Sequence, residues 1–205
     1  MIIYNTDEVD PAELSTYAAL SDPKWKDRIC FRTSTSAYTQ GFVASIIAGE
    51  GPQAAATVVE DWMANEPQIL ANDVEVVRTV AAGGCDVGIT NHYYVLRELA
   101  QDPELPLGIV FPNQGTTGTH VNISGAGVTR SADDVAAATR FVEWLATDGQ
   151  SLFVDGNFEY PVNRSVEPVP VLRELGEFRR DDLNVGELGP NNAAAVQLLT
   201  EAGYR

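Results

Sequence analysis

Short apolar runs separated by longer polar-apolar stretches organise this chain. The runs at residues 2–4, 28–31, 87–90 and 107–111 are flanked by polar or turn residues, and each predicts a β-strand. Helix-start residues follow several of them, so strands and helices alternate. This alternation favours an α/β fold with a mostly parallel or mixed sheet, packed by helices on both faces.

Helix boundaries are marked by capping residues. Ser36 is a good N-cap for a helix that ends at Gly49 or Gly51, and Pro52 opens the next helix. Asn72 begins a capping-box pattern, and Asn91 is placed to cap a further helix. Shorter or later helices are predicted over residues 13–20, 149–154 and 192–202, and residues 121–128 alternate as a strand would.

One later helix is amphipathic. Residues 131–134 cap it, and its apolar side is formed by Val135, Ala138, Phe141, Val142 and Leu145.

Charge and hydropathy exclude two classes of partner. The 205 residues carry a formal net charge of −16, which argues against nucleic acid because binding it needs a basic surface. No apolar run approaches the roughly 20 residues of a membrane-spanning helix, so no membrane insertion is expected. The first residues have neither the basic region nor the cleavage site of a signal peptide.

Two cysteines, Cys30 and Cys85, each adjoin a short apolar strand. They lie outside any zinc-binding pattern. Neighbouring strands would allow a disulfide in an oxidising compartment, and two buried free thiols are the alternative.

Candidate chemistry lies at two strand-to-helix junctions. Residues 34–38 and 91–94 each place hydroxyl or amide groups and a tyrosine at a helix start, where ligands of open α/β sheets bind. A phenol ionises at a pKa of about 10, and a hard, highly charged cation such as ferric iron can displace its proton. Packing of the adjacent Tyr93 and Tyr94 in the core is the alternative. No nucleophile elbow, P-loop or HExxH motif occurs, so the chain is not expected to be an enzyme.

Several stretches resemble the periplasmic ferric-iron-binding proteins of bacterial ABC iron-uptake transporters. They are residues 14–17, 20–26, 32–38, 81–86, 91–94, 111–114, 118–128 and 156–163. The resemblance implies the type II periplasmic-binding-protein fold, in which two α/β lobes close on iron. It also implies a periplasmic or extracellular location, delivery to an ABC transporter permease, and no enzymatic activity.

The resemblance also implies the site. Tyr38, Tyr93 and Tyr94 match tyrosinate ligands of Fe³⁺. Ser34, Ser36 and Asn91 match positions at which some members hold a synergistic anion such as carbonate or phosphate. An oxyanion- or polyamine-binding lobe, or a truncated remnant without transport activity, are the alternative functions.

The family's N-terminal segment, which builds most of the first lobe, has no counterpart here. By analogy, residues 1–121 form the main second lobe with a central mixed sheet flanked by helices. Residues 122–170 are a remnant of the other lobe, and residues 171–205 are C-terminal helices that return to the main lobe. Loss of packing partners around residues 121–128 and Phe141 predicts a homodimer or swapped assembly.

Overall fold

A computed structural model describes all 205 residues except the side chain of Phe153. The chain divides into two compact units, residues 1–122 with 178–205, and residues 123–177. The sequence-based assignment of residues 1–121 and 171–205 to one lobe, and of residues 122–170 to another, stays a prediction. The candidate site lies in the first unit.

A five-stranded mixed sheet forms the centre of the first unit. Its strands are β1 (Ile2–Asn5), β2 (Ile29–Arg32), β3 (Gln68–Leu70), β4 (Val87–Ile89) and β5 (Leu107–Val110), in the order β3-β2-β4-β1-β5. Strand β2 is parallel to both β3 and β4, whereas β1 is antiparallel to β4 and β5. The predicted α/β fold with a mixed sheet is confirmed.

Helices pack on both faces of this sheet. They are α1 (Ala37–Glu50), α2 (Pro52–Ala64), α3 (Asp73–Ala81), α4 (His92–Gln101) and α8 (Leu188–Glu201). Alternate strand residues point to opposite faces: Ile2 joins the core formed with α1, α2 and α8, and Ile3 joins the core formed with α3 and α4. Both faces are therefore buried, which accounts for the continuous apolar runs in the sequence.

Three segments differ from the sequence-based expectation. The helix predicted over residues 13–20 is two 3₁₀ turns, Pro11–Leu14 and Tyr17–Ser21, because Asp10 and Thr16 cap them separately. Residues 121–128 form no strand among the described residues, since no neighbouring strand pairs with their backbone. Strand β3 was not predicted, because three residues are too few to show a period of two.

The second unit is a small helical body. It contains α5 (Val135–Ala146), α6 (Gln150–Asn157) and α7 (Pro170–Glu174). Leu172 is fully buried, but no residue of α5 is. Phe141 and Trp144 of α5 stack with ring centroids 6.0 Å apart and stay exposed, at 58% and 41%.

A disulfide joins Cys30 of β2 to Cys85, which lies just before β4. The two Cα atoms are 5.8 Å apart, and both residues are almost completely buried. The sequence left open whether these cysteines pair; the structure shows that they do. The bond links the two parallel strands that lead to the candidate site.

Candidate metal centre

Two neighbouring parallel strands bring the tyrosines to one edge of the sheet. Strand β2 leads into α1, which carries Tyr38, and β4 leads into α4, which carries Tyr93 and Tyr94. Because β2 and β4 are adjacent and parallel, their carboxyl ends and the two helix N-termini that follow them lie at the same edge. The strand order therefore converts residues 55 positions apart in sequence into neighbours.

Tyr38 lies in the first turn of α1 and is 38% exposed. Ser36 is the N-cap, and its hydroxyl oxygen accepts a hydrogen bond from the backbone N–H of Tyr38 at 3.1 Å. The Thr39 hydroxyl and the Gln40 side chain donate to the backbone carbonyls of Thr33 and Ser34. These bonds fix the loop between β2 and α1, so the start of this helix is rigidly placed.

Tyr93 and Tyr94 lie in the first turn of α4, behind Asn91. Asn91 has the extended backbone of an N-cap, but its side chain makes no capping hydrogen bond. The two tyrosine rings contact each other, with centroids 4.5 Å apart. Both residues are only partly buried, so the pair is not a closed core contact.

The phenols from the two helices meet. The hydroxyl of Tyr93 donates to the hydroxyl of Tyr38 across 3.5 Å, the outer limit of a hydrogen bond. The loose contact leaves the oxygens free to reorient around an ion. Three phenols, two from one helix and one from another, are thus gathered at one place.

The same surroundings disfavour the ionised forms of Tyr93 and Tyr94. Burial raises the pKa of Tyr93 well above its ordinary value, and hydrogen bonds with Tyr38 and Tyr94 raise it further. Burial also raises the pKa of Tyr94, whereas its hydrogen bond with Tyr93 acts in the opposite direction. A cation that binds the phenolates must therefore displace their protons.

Two arginines flank the tyrosines. The guanidinium carbon of Arg32 lies 5.1 Å from the centroid of the Tyr38 ring. That of Arg97 lies 5.2 Å from the Tyr93 ring and 5.8 Å from the Tyr94 ring. The positive charge of Arg32 favours the ionised form of Tyr94 and so opposes the effect of burial on the pKa of that phenol.

A pocket of about 60 Å³ opens beside Tyr38. Asn91, Arg32, Thr90 and His120 contribute to its wall. The Nε–H of Arg32 is buried without a hydrogen-bond partner among the described residues. Burial lowers the pKa of His120 to about 4, so this histidine is neutral at pH 7 and adds no charge. Apolar side chains form much of the remaining wall, so a small ligand would meet a few polar groups in a largely apolar pocket.

The residues predicted to hold an anion divide between two environments. Asn91 lines the pocket with Tyr38, and its side chain is not used as a cap. Ser36 uses its oxygen as an acceptor, but its hydroxyl hydrogen can still be donated. Ser34 contacts neighbouring segments through its backbone, and neither Ser34 nor Ser36 is part of the pocket wall.

Sequence reasoning missed the charged network beneath the tyrosines. Arg32 at the end of β2 forms an ion pair with Asp73 at the start of α3. The hydroxyl of Thr90, directly after β4, donates to the other oxygen of Asp73 at 2.8 Å. An aspartate inside a capping box was the available signal, but it is equally typical of a solvated helix start.

Comparisons with known proteins identify the family of this chain. A family model described as bacterial extracellular solute-binding protein matches residues 1–176. Iron uptake protein A1 of Synechocystis is 37% identical over 215 residues, covering 100% of this chain and 59% of the relative. The chain spans about three fifths of the curated relatives that it matches, 59% and 62% for two Synechocystis proteins.

Solved structures show the same fold. A Trichodesmium protein in complex with iron and citrate ligands superposes with a TM-score of 0.92 at 38% identity, covering 100% of this chain and 67% of that one. The ferric binding protein from Campylobacter jejuni gives a TM-score of 0.93 at 31% identity, with 100% and 68% covered. These similarities establish the type II periplasmic-binding-protein fold expected from the sequence.

Proposed function

The chain belongs to the family of bacterial extracellular solute-binding proteins, and we propose that it binds ferric iron through Tyr38, Tyr93 and Tyr94. Relatives named for iron uptake and ferric iron binding support iron as the solute. The observation that carries the choice of ligands is the approach of the Tyr93 and Tyr38 hydroxyls to 3.5 Å from two different helices.

Charge explains why three phenols suit this ion. One phenol holds its proton at neutral pH, and burial at this site strengthens that preference. Several phenols that share one trivalent ion gain its attraction together, and three phenolates balance its charge. Among the described residues, no cluster of three His, Cys, Asp or Glu side chains offers an alternative metal site.

An anion completes the proposed site. Carbonate or phosphate beside the iron would accept hydrogen bonds from Asn91 and Ser36, and Ser34 stays part of the predicted set. The iron-and-citrate complex of the Trichodesmium relative supports the idea of a small acid at such a site.

We propose that the protein binds iron for uptake by the cell. Within this family the expected partner is an ABC transporter permease, and the expected location is periplasmic or extracellular. Among the described residues, no helix is long and apolar enough to cross a membrane. Self-association through the exposed side chains of α5 stays a prediction, which light scattering tests.

Addition of ferric citrate tests the iron site. The protein should develop a visible phenolate-to-iron charge-transfer band, and the double variant Tyr93→Phe/Tyr94→Phe should lose most of it. The fold should persist, because only two partly exposed hydroxyls are removed. Tyr160→Phe is the matched control, since Tyr160 lies in the second unit. A band that survives in the double variant would contradict these ligands.

A further inference from the structure

Two site-bearing segments share one buried carboxylate. Asp73 is the first residue of α3 and only 3% exposed. One of its oxygens accepts from the Nη1 of Arg32, and the other accepts from the hydroxyl of Thr90 at 2.8 Å. Arg32 ends the strand that leads to Tyr38, and Thr90 follows the strand that leads to Tyr93. A single side chain thus bridges the two junctions that present the phenols.

Arg32 connects Asp73 to Tyr38. Its guanidinium lies against the Tyr38 ring, with 5.1 Å between the guanidinium carbon and the ring centroid. Its backbone is also held, because the hydroxyl of the buried Tyr204 donates to the Arg32 carbonyl at 3.0 Å. The side chain of Arg32, unlike its backbone, can still rotate. The bond to Asp73 fixes it in the orientation that packs on Tyr38.

We propose that Asp73 is a positioning residue for the iron site: it holds Arg32 against Tyr38 and Thr90 beside the start of α4, and so sets the spacing of the phenols. This role rests on the proposed iron-binding function. Groups that orient metal ligands from outside the coordination sphere typically change metal affinity by about 10- to 100-fold when they are replaced. The hydrogen bonds of Asp73 go to Arg32 and Thr90, so its positioning effect passes through these two residues. Burial raises the pKa of Tyr94, and the negative charge of Asp73 raises it further, so Asp73 also acts on this phenol through its charge.

The chain contains a matched control. Arg28 and Asp86 form another Arg–Asp pair, but they precede β2 and β4 and so lie at the opposite edge of the sheet from the tyrosines. Asp73→Asn and Asp86→Asn each remove one carboxylate charge from such a pair. Only the first should alter the iron site.

The experiment measures ferric iron uptake from ferric citrate in the full chain, with citrate as the competing chelator. We expect Asp73→Asn to weaken iron binding by roughly 10- to 100-fold and to shift the charge-transfer band, whereas Asp86→Asn leaves both unchanged. Arg32→Lys keeps a cation for Asp73 but loses the planar face. It should shift the band as well, and it provides the test if Asp73→Asn does not fold.

A double-mutant cycle separates positioning from general destabilisation. If Asp73 acts by placing Tyr38, Asp73→Asn should cost much less affinity in a Tyr38→Phe background than in the wild type. Equal effects of Asp73→Asn and Asp86→Asn, or full additivity with Tyr38→Phe, would overturn the proposal while wild-type iron binding persists. If the wild type itself takes up no iron, the proposed function fails, and this role fails with it.

Discussion

The two helices that present the tyrosines begin in different ways. At α1 the N-cap Ser36 is bonded to the backbone N–H of Tyr38, and neighbouring side chains bond the carbonyls of the preceding loop. At α4 the N-cap Asn91 makes no capping bond. The start of α4, which carries two tyrosines, therefore lacks a side-chain capping bond, whereas the start of α1, which carries one tyrosine, has such a bond.

This difference indicates a division of labour. Hydrogen bonds within the protein hold the start of α1 in place. At the start of α4 the side-chain amide of Asn91 makes no capping bond, so this amide is available to bind an anion. An anion bound with the iron would supply the missing capping interaction at the start of α4 and would change the start of α1 little.

A disulfide connects the two chain segments that lead to these helices. Cys30 and Cys85 close a loop with a sequence separation of 55 residues, and chain-entropy arguments give such a cross-link about 4 kcal/mol. Cys30→Ala/Cys85→Ala should lower the free energy of unfolding by about this amount, measured by urea denaturation of the oxidised protein. Two titratable thiols in unfolded, unreduced wild-type protein would contradict the bond.

The two N-caps should respond differently to truncation. Ser36→Ala removes a made capping bond and should lower the free energy of unfolding by about 1 kcal/mol. Asn91→Ala removes no such bond, so its cost should stay within about 0.5 kcal/mol. Urea unfolding of both variants measures this.

Iron binding should reverse the order of the two cap variants. Asn91→Ala should weaken ferric iron uptake more than Ser36→Ala does, because Asn91 lines the pocket beside Tyr38. Equal losses of stability in the two variants, or a larger loss of iron binding for Ser36→Ala, would contradict the proposed difference between the capped start of α1 and the uncapped start of α4.

The sequence predicted the elements of the site better than their assembly. Apolar runs located β2 and β4, and capping residues located the starts of α1 and α4. The adjacency of β2 and β4 could not be predicted from these runs, because an antiparallel β1 also pairs with β4. The Arg32–Asp73 pair spans 41 residues and depends on β3, which is too short to leave a pattern.

Resonance Raman spectroscopy of the ferric protein tests the central claim most directly. Excitation within the visible band should enhance phenolate ring modes, and these modes should shift when the protein is made with ring-deuterated tyrosine. The variant Tyr38→Phe should keep the modes at lower intensity, because Tyr93 and Tyr94 remain, and Tyr93→Phe/Tyr94→Phe should lose most of them. Iron-loaded protein whose enhanced modes do not respond to labelled tyrosine would contradict a tyrosinate iron site.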